Sequence, residues 1–140
     1  WLMLRRTWRA LETGEAAITL GVALLVTIAF INLGMAVYAN QAAQYAANYG
    51  ARMGSTAQCD RAGAALAAAQ SNVKQSLLQS PSVQVLARGE AVGSTLKIRV
   101  SGTVPNFMKG ILGLFGGGFS QDFRITAESV FRAEGWGDGC

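Results

Sequence analysis

Between Ala16 and Tyr38 the chain carries no charged side chain, and its only clearly polar ones are Thr19, Thr27 and Asn32. The run is long enough for a bilayer crossing, which takes roughly 20 apolar residues. It therefore reads as a membrane span, a buried core helix, or a helix that serves as each in turn. The stretch that follows, "ANQAAQYAANYGARMGS", contains no Pro and exchanges bulky side chains for alanine, so the helix is expected to continue into water. From about residue 13 to 53 it would reach on the order of 60 Å, twice a hydrocarbon thickness.

Its ends are marked unequally. Thr13 can cap it, with Glu12 and Glu15 suited to a first turn, but Trp1, Leu4, Trp8 and Leu11 already recur at helical spacing beside Arg5, Arg6 and Arg9. That segment is either interfacial or the first turns of the same helix. Gly50 and Gly54 bracket the expected end, and Asp60 is placed to cap a second helix.

Of 140 residues, 51% are hydrophobic and only 14% charged, which excludes a disordered chain. A span leaves about 85 residues for a small head. The net charge of +4 gives no case for nucleic acid, because Arg5, Arg6 and Arg9 form a block before the apolar run while the other basic residues are dispersed. The block fits the positive-inside rule, with the N-terminus cytoplasmic and everything past about residue 40 outside. Cys59 and Cys140 both fall on the outer side, where oxidising conditions favour disulfides. The expected bridge is within the chain and closes a loop of about 80 residues, worth roughly 4 kcal/mol. A bond between chains, or two free thiols, is left open by spacing alone.

Residues 60 to 80 predict a helix ending before Pro81, with Leu66, Val73, Leu77 and Leu78 as its apolar contacts. The period then changes to two: Val83, Val85 and Ala87 alternate with Gln84, Leu86 and Arg88, and Leu96, Ile98 and Val100 with Lys97, Arg99 and Ser101. A third strand sets Phe123, Ile125, Ala127 and Phe131 against Arg124, Thr126, Glu128 and Arg132. The fold class expected is α+β: a long N-terminal hydrophobic helix (1–54), then a small extracellular head (55–140) with a second helix and a three-stranded antiparallel sheet. Between strands two and three, Phe107, Met108, Ile111, Leu112, Leu114 and Phe115 are very apolar for a loop. They form either a patch that contacts a neighbour or a short helix folded back over the sheet. Gly116, Gly117 and Gly118 read as a hinge rather than a phosphate cradle, since no helix opening with Lys follows.

Nothing points to catalysis, a cofactor or a metal. There is no His, the two cysteines lack ligand spacing, and no nucleophile elbow, P-loop or dinucleotide fingerprint occurs. Glu90, Asp122, Glu128, Glu134 and Asp138 are isolated carboxylates, better explained as solvated groups. The small residues say more. Ala39, Ala43 and Ala47 form one seam and Ala42, Ala46 and Gly50 another, along which two helices can approach closely. The expectation is that this seam faces other subunits, so that Leu at Ala43 or Ala47 would block their assembly and spare the head. Glu15, at the edge of the apolar run, either meets a cation in a helix bundle or stays hydrated near headgroups.

Taken together, the basic block, Gly14-Glu15-Ala16 before the span, Tyr-Ala-Asn-Gln-Ala-Ala at 38–43 and Ala-Ala-Asn-Tyr-Gly-Ala-Arg at 46–52 resemble the TadE-like pilins of tight-adherence (Tad) systems, within the type IV pilin-like superfamily. Residues 9 to 54 carry the likeness. It implies a structural subunit of an extracellular filament on the bacterial surface, anchored in the inner membrane before assembly and built by packing N-terminal helices of identical subunits. The alternative is a single-span minor pilin or assembly factor. Identical subunits, the membrane and the pilus assembly machinery would be the partners, and the resemblance gives Glu15 a role in subunit docking. Pilins usually keep that glutamate as the fifth residue after a cut leader. A cut after Ala10 would place Glu15 fifth, whereas here the preceding residues are still attached. The helix-kinking proline common in such proteins is missing, so a straighter helix is expected.

Overall fold

The computed structural model describes residues 2–113 and 121–135, and side chains from Thr13 onward other than those of Ile111 and Leu112. The elements, in chain order, are α1 (Leu2–Thr56), α2 (Arg61–Val73), β1 (Gln79–Arg88), β2 (Thr95–Val104), α3 (Lys109–Leu112) and β3 (Phe123–Arg132). The α+β layout is the expected one: a long apolar helix, a second helix and a three-stranded antiparallel sheet in the order β1-β2-β3.

α1 is one unbroken helix of 55 residues with two different halves. Up to Ile31 its described side chains are exposed all round, apart from the partly covered Ile28. From Asn32 onward one stripe is sealed: Ala39, Ala43, Ala46, Ala47 and Ala51 are buried against α2 and the inner face of the sheet. The core they share contains Ala65, Ala69 and Val73 of α2, Leu96, Ile98, Val100 and Val104 of β2, and Ala127 of β3. It therefore straddles residue 54, and both halves of the chain build it.

Alanine serves here by being small. α1 and α2 approach so closely that a Cβ at Gly50 would lie 2.7 Å from the Ala69 Cβ, and one at Gly54 2.5 Å from the Ala65 Cβ. Gly50 and Gly54 thus do not end the helix. They are crossing positions, and α1 continues to Thr56. The same packing corrects the expected role of the alanine seam. Ala39, Ala43, Ala46, Ala47 and Gly50 are covered by the chain's own head, with Ala42 partly covered, so a neighbouring subunit cannot reach them. The opposite face of this half is open, and there Tyr45 and Tyr49 stack with ring centroids 6.2 Å apart.

Asp60 caps α2 as expected, in the left-handed region (φ 47°), its carboxylate accepting the Gly63 N–H at 3.0 Å. The helix stops at Val73 rather than at residue 80. Lys74 to Leu78 form a turn, in which Leu78 is buried and Leu77 exposed. Pro81 lies inside β1. As an edge strand β1 tolerates a residue without an N–H, and the register slips by one between Gln79 and Ser82, where Ser80 adopts φ 47°. A second shift falls between Val85 and Ala87.

β2, the central strand, buries Leu96, Ile98, Val100, Gly102 and Val104 on one face. Opposite it, β3 sets Phe131, Ser129, Ala127, Ile125 and Phe123 against those residues in order. Ser129 replaces an apolar residue in this row because it has a partner: its hydroxyl bonds Asn48 Oδ1 of α1 at 2.6 Å. At the far end of the head, Arg61 gathers four backbone carbonyls, of Ala57, Gly89, Glu90 and Glu134, at 3.1 to 3.2 Å. This ties α2, the β1–β2 turn and the tail after β3 together beside the end of α1, where the Ser55 carbonyl also accepts Glu134 N–H at 3.1 Å.

Candidate functional site

Two surfaces are candidates for function. The first is the projecting half of α1. Ile18, Leu20, Val22, Leu24, Phe30 and Ile31 are all exposed. The segment Thr13–Thr56 is long and apolar enough to cross a membrane. The two hydroxyls inside the apolar run are satisfied internally, Thr19 by the Glu15 carbonyl and Thr27 by the Ala23 carbonyl, each at 2.8 Å. A polar group in an apolar surround needs that arrangement. At Gly21 and Gly34 nothing lies within 4 Å of a Cβ position, so both remain open to another backbone. Glu15 is exposed at the charged edge of the run.

The second is the base of the head, where the sheet loops meet α1. Asn32 is buried there, its amide donating to Asn106 Oδ1 at 3.3 Å and its Oδ1 accepting the Phe107 N–H at 3.1 Å. Asn106 Oδ1 also takes the Met108 N–H at 3.0 Å, and Asn106 Nδ2 reaches the Gln121 carbonyl at 3.4 Å. The ends of the β2–β3 connection are in this way hung on one helix position. Beside them a groove of about 600 Å³ runs between α1 (Ala29, Leu33, Ala36) and Met108, Phe123 and Arg124. Lys109 and Asp122 form an ion pair at 3.7 Å on the same rim.

Of the apolar loop residues expected to form a patch, Phe107 is exposed and Met108 partly covered. Lys109–Leu112 forms the short helix α3. The side chains of Ile111 and Leu112, and the whole of Leu114 and Phe115, lie outside the described residues, as do Gly116, Gly117, Gly118 and Cys140. Cys59 is not a free thiol. Among the described residues no group of three or more His, Cys, Asp or Glu could hold a metal. Asn32 was legible only as a polar residue in an apolar run, and Asn106 and Arg61 carried no signal, since their partners are distant in sequence.

The outer face of the sheet holds a charge cluster. Glu128 pairs with Lys97 at 2.7 Å and accepts Arg99 Nε at 2.6 Å, Arg99 standing directly opposite it in the ladder. Hydrogen bonds from Lys97 and then Arg99 hold its carboxyl below the ordinary carboxylate value. The cluster faces solvent and cross-braces β2 and β3.

No curated protein and no solved structure matches the chain. A family model does: that of the TadE-like proteins, over residues 13–52. The match begins three residues before the apolar run and ends two residues past Gly50, so it covers the apolar stretch of α1 and the alanine stripe that the head closes over. Through this helix the chain is similar to the TadE-like proteins.

Proposed function

We propose that this chain is a pilin-like component of a Tad-type pilus apparatus, held by α1 in the inner membrane with its head outside, and that it works as a minor pilin. The observation that carries the reading is the division of one continuous helix. Residues 16–31 are apolar and uncovered, while the remainder is locked into the head. Lipid or the helices of other subunits can cover such a surface, and exchanging one for the other costs little because both are apolar. A helix of this kind can leave a bilayer for a fibre. Glu15 is the group that docking must satisfy on entering a bundle, and Cys59 with Cys140 forms the intrachain bridge that holds the tail to the head.

The minor role is favoured because the alanine stripe is already used inside the subunit, which leaves only the projecting half and the outer faces for lateral packing. The reading of a main filament subunit is supported by the open positions at Gly21 and Gly34, where a second helix could approach. Shearing cells and weighing the released fibres separates them. A minor pilin appears in the fibres as a small fraction of their mass, with a pool left in the membrane. A dominant band near 14.7 kDa would instead make it the main subunit. Complete absence from fibres would leave an assembly factor that never leaves the membrane.

A further inference from the structure

We propose that the base of the head is a membrane-seating surface, resting in the headgroup layer of the bilayer that α1 crosses; this builds on the membrane-anchored reading and adds where the head sits. The apolar stretch free of the head, residues 16–31, rises about 24 Å at about 1.5 Å per residue, which is short of a hydrocarbon core of about 30 Å. Filling that thickness from Ala16 takes about 20 residues and ends near Met35, and Met35 is already packed against the head's core. Head and bilayer therefore compete for residues 32–35. Drawing Glu15 inward would lengthen the span only by placing a carboxylate among acyl chains. The less costly solution is for the base of the head to enter the interface.

The base is built for such a place. All three exposed phenylalanines among the described residues, Phe30, Phe107 and Phe123, are found at this end, with Leu33 exposed among them. Three polar groups there are satisfied within the chain, the Asn32 amide and the Phe107 and Met108 N–H groups each being hydrogen-bonded. Among the described residues no buried side-chain polar atom is left without a partner. Lys109, Asp122 and Arg124 are the charged groups on the rim, a net single positive charge at the depth of lipid phosphates.

The test uses the full chain in phosphatidylcholine vesicles, with Trp1, Trp8 and Trp136 replaced by Phe and single tryptophans introduced by Phe107→Trp, Val92→Trp or Val22→Trp. Val92 is exposed in the β1–β2 turn, at the opposite end of the head. Vesicles carry lipids brominated either near the headgroup end of the acyl chain or deep within it. Phe107→Trp is expected to lose more emission to shallow than to deep bromine, Val22→Trp to lose emission to deep bromine, and Val92→Trp to lose none. Phe107→Trp that matches Val92→Trp while Val22→Trp is quenched overturns the seating. A blue-shifted but unquenched Phe107→Trp also overturns it and shows the base covered by a second copy. If Val22→Trp too is unquenched, the anchored reading beneath the proposal fails with it. Phe107→Leu in place of Phe107→Trp, scored by the urea midpoint in the same vesicles, confirms that the head tolerates substitution at this position.

Discussion

Asn32 and Asn106 join across 74 residues of chain, the amide of one on the oxygen of the other at 3.3 Å, and this contact lies where the uncovered half of α1 gives way to the covered half. Replacing Asn32 by Leu keeps the helix apolar but strips the Phe107 N–H of its acceptor. The expected cost is about 1–3 kcal/mol, the usual penalty for an orphaned buried donor. Amide hydrogen exchange should speed up at Phe107 and Met108 first. Unchanged exchange there would mean that the loop is held by its sheet ends alone.

The two kinds of glycine in α1 are expected to respond oppositely to a methyl group. Gly54→Ala sets a Cβ 2.5 Å from the Ala65 Cβ and 2.6 Å from Leu96 Cδ2, and overpacking of this kind costs about 1–3 kcal/mol. Gly21→Ala meets nothing within 4 Å and should be neutral or slightly stabilising, since alanine is the better helix former. Urea midpoints in detergent compare them directly.

Ala43→Leu and Ala47→Leu are expected to damage the head itself, because both side chains are fully buried inside the subunit. The loss should be at least about 1–3 kcal/mol each, with protease sensitivity of the head as a second sign. Ala23→Leu, in the projecting half, leaves head stability where it was. A stable Ala43→Leu head with lost assembly would return the stripe to an intersubunit role.

Truncation offers a separate check on the shared core. A chain beginning at Gly54 lacks Ala39, Ala43, Ala46, Ala47 and Ala51, so the inner face of the sheet has nothing to close it. It should aggregate or give a circular dichroism spectrum without native strand signal. A chain beginning at Ile31 keeps these residues and should fold.

Acid should weaken the sheet brace. The Glu128 carboxyl is held below its ordinary value of about 4.5, so its contribution is fully present above that pH and fades as pH falls through the lowered folded value. Glu128→Gln should therefore be less stable than the parent at neutral pH, with the gap closing under acid. The effect is small, because the group is solvent-exposed. A gap that persists into strong acid would mean that the glutamine disturbs packing rather than charge.

The parts of this fold legible in the sequence are those governed by local periodicity. Leu96, Ile98 and Val100 alternate strictly, and the strand they announce is the central one. Asp60 announces a cap and is one. Legibility fails where a local signal serves a distant partner. Gly50 and Gly54 look like stops until α2 is laid across them, and the alanine stripe looks like a surface for another molecule until the head closes over it. Pro81 reads as a boundary, whereas the edge strand absorbs it by a register slip at Ser80. Arg61 is an ordinary helix residue until three of the carbonyls it bonds arrive from Gly89, Glu90 and Glu134. Of the candidate surfaces, the projecting helix is written plainly in its composition, while the base is not, because its key contact pairs residues 32 and 106.

The continuity of α1 has a mechanical consequence. With no proline, break or flexible linker between residue 31 and the stripe that begins at Asn32, the head is not tethered to its anchor but mounted on it. Any lean of the helix in the bilayer becomes the same lean of the head, amplified with distance, so that a tilt of about 20°, ordinary for a single span, swings the Arg61 end sideways by roughly 12 Å over the 35 Å or so of helix beyond Ile31. A load applied to the head likewise reaches the anchor as torque along one rigid rod, without slack to be taken up first.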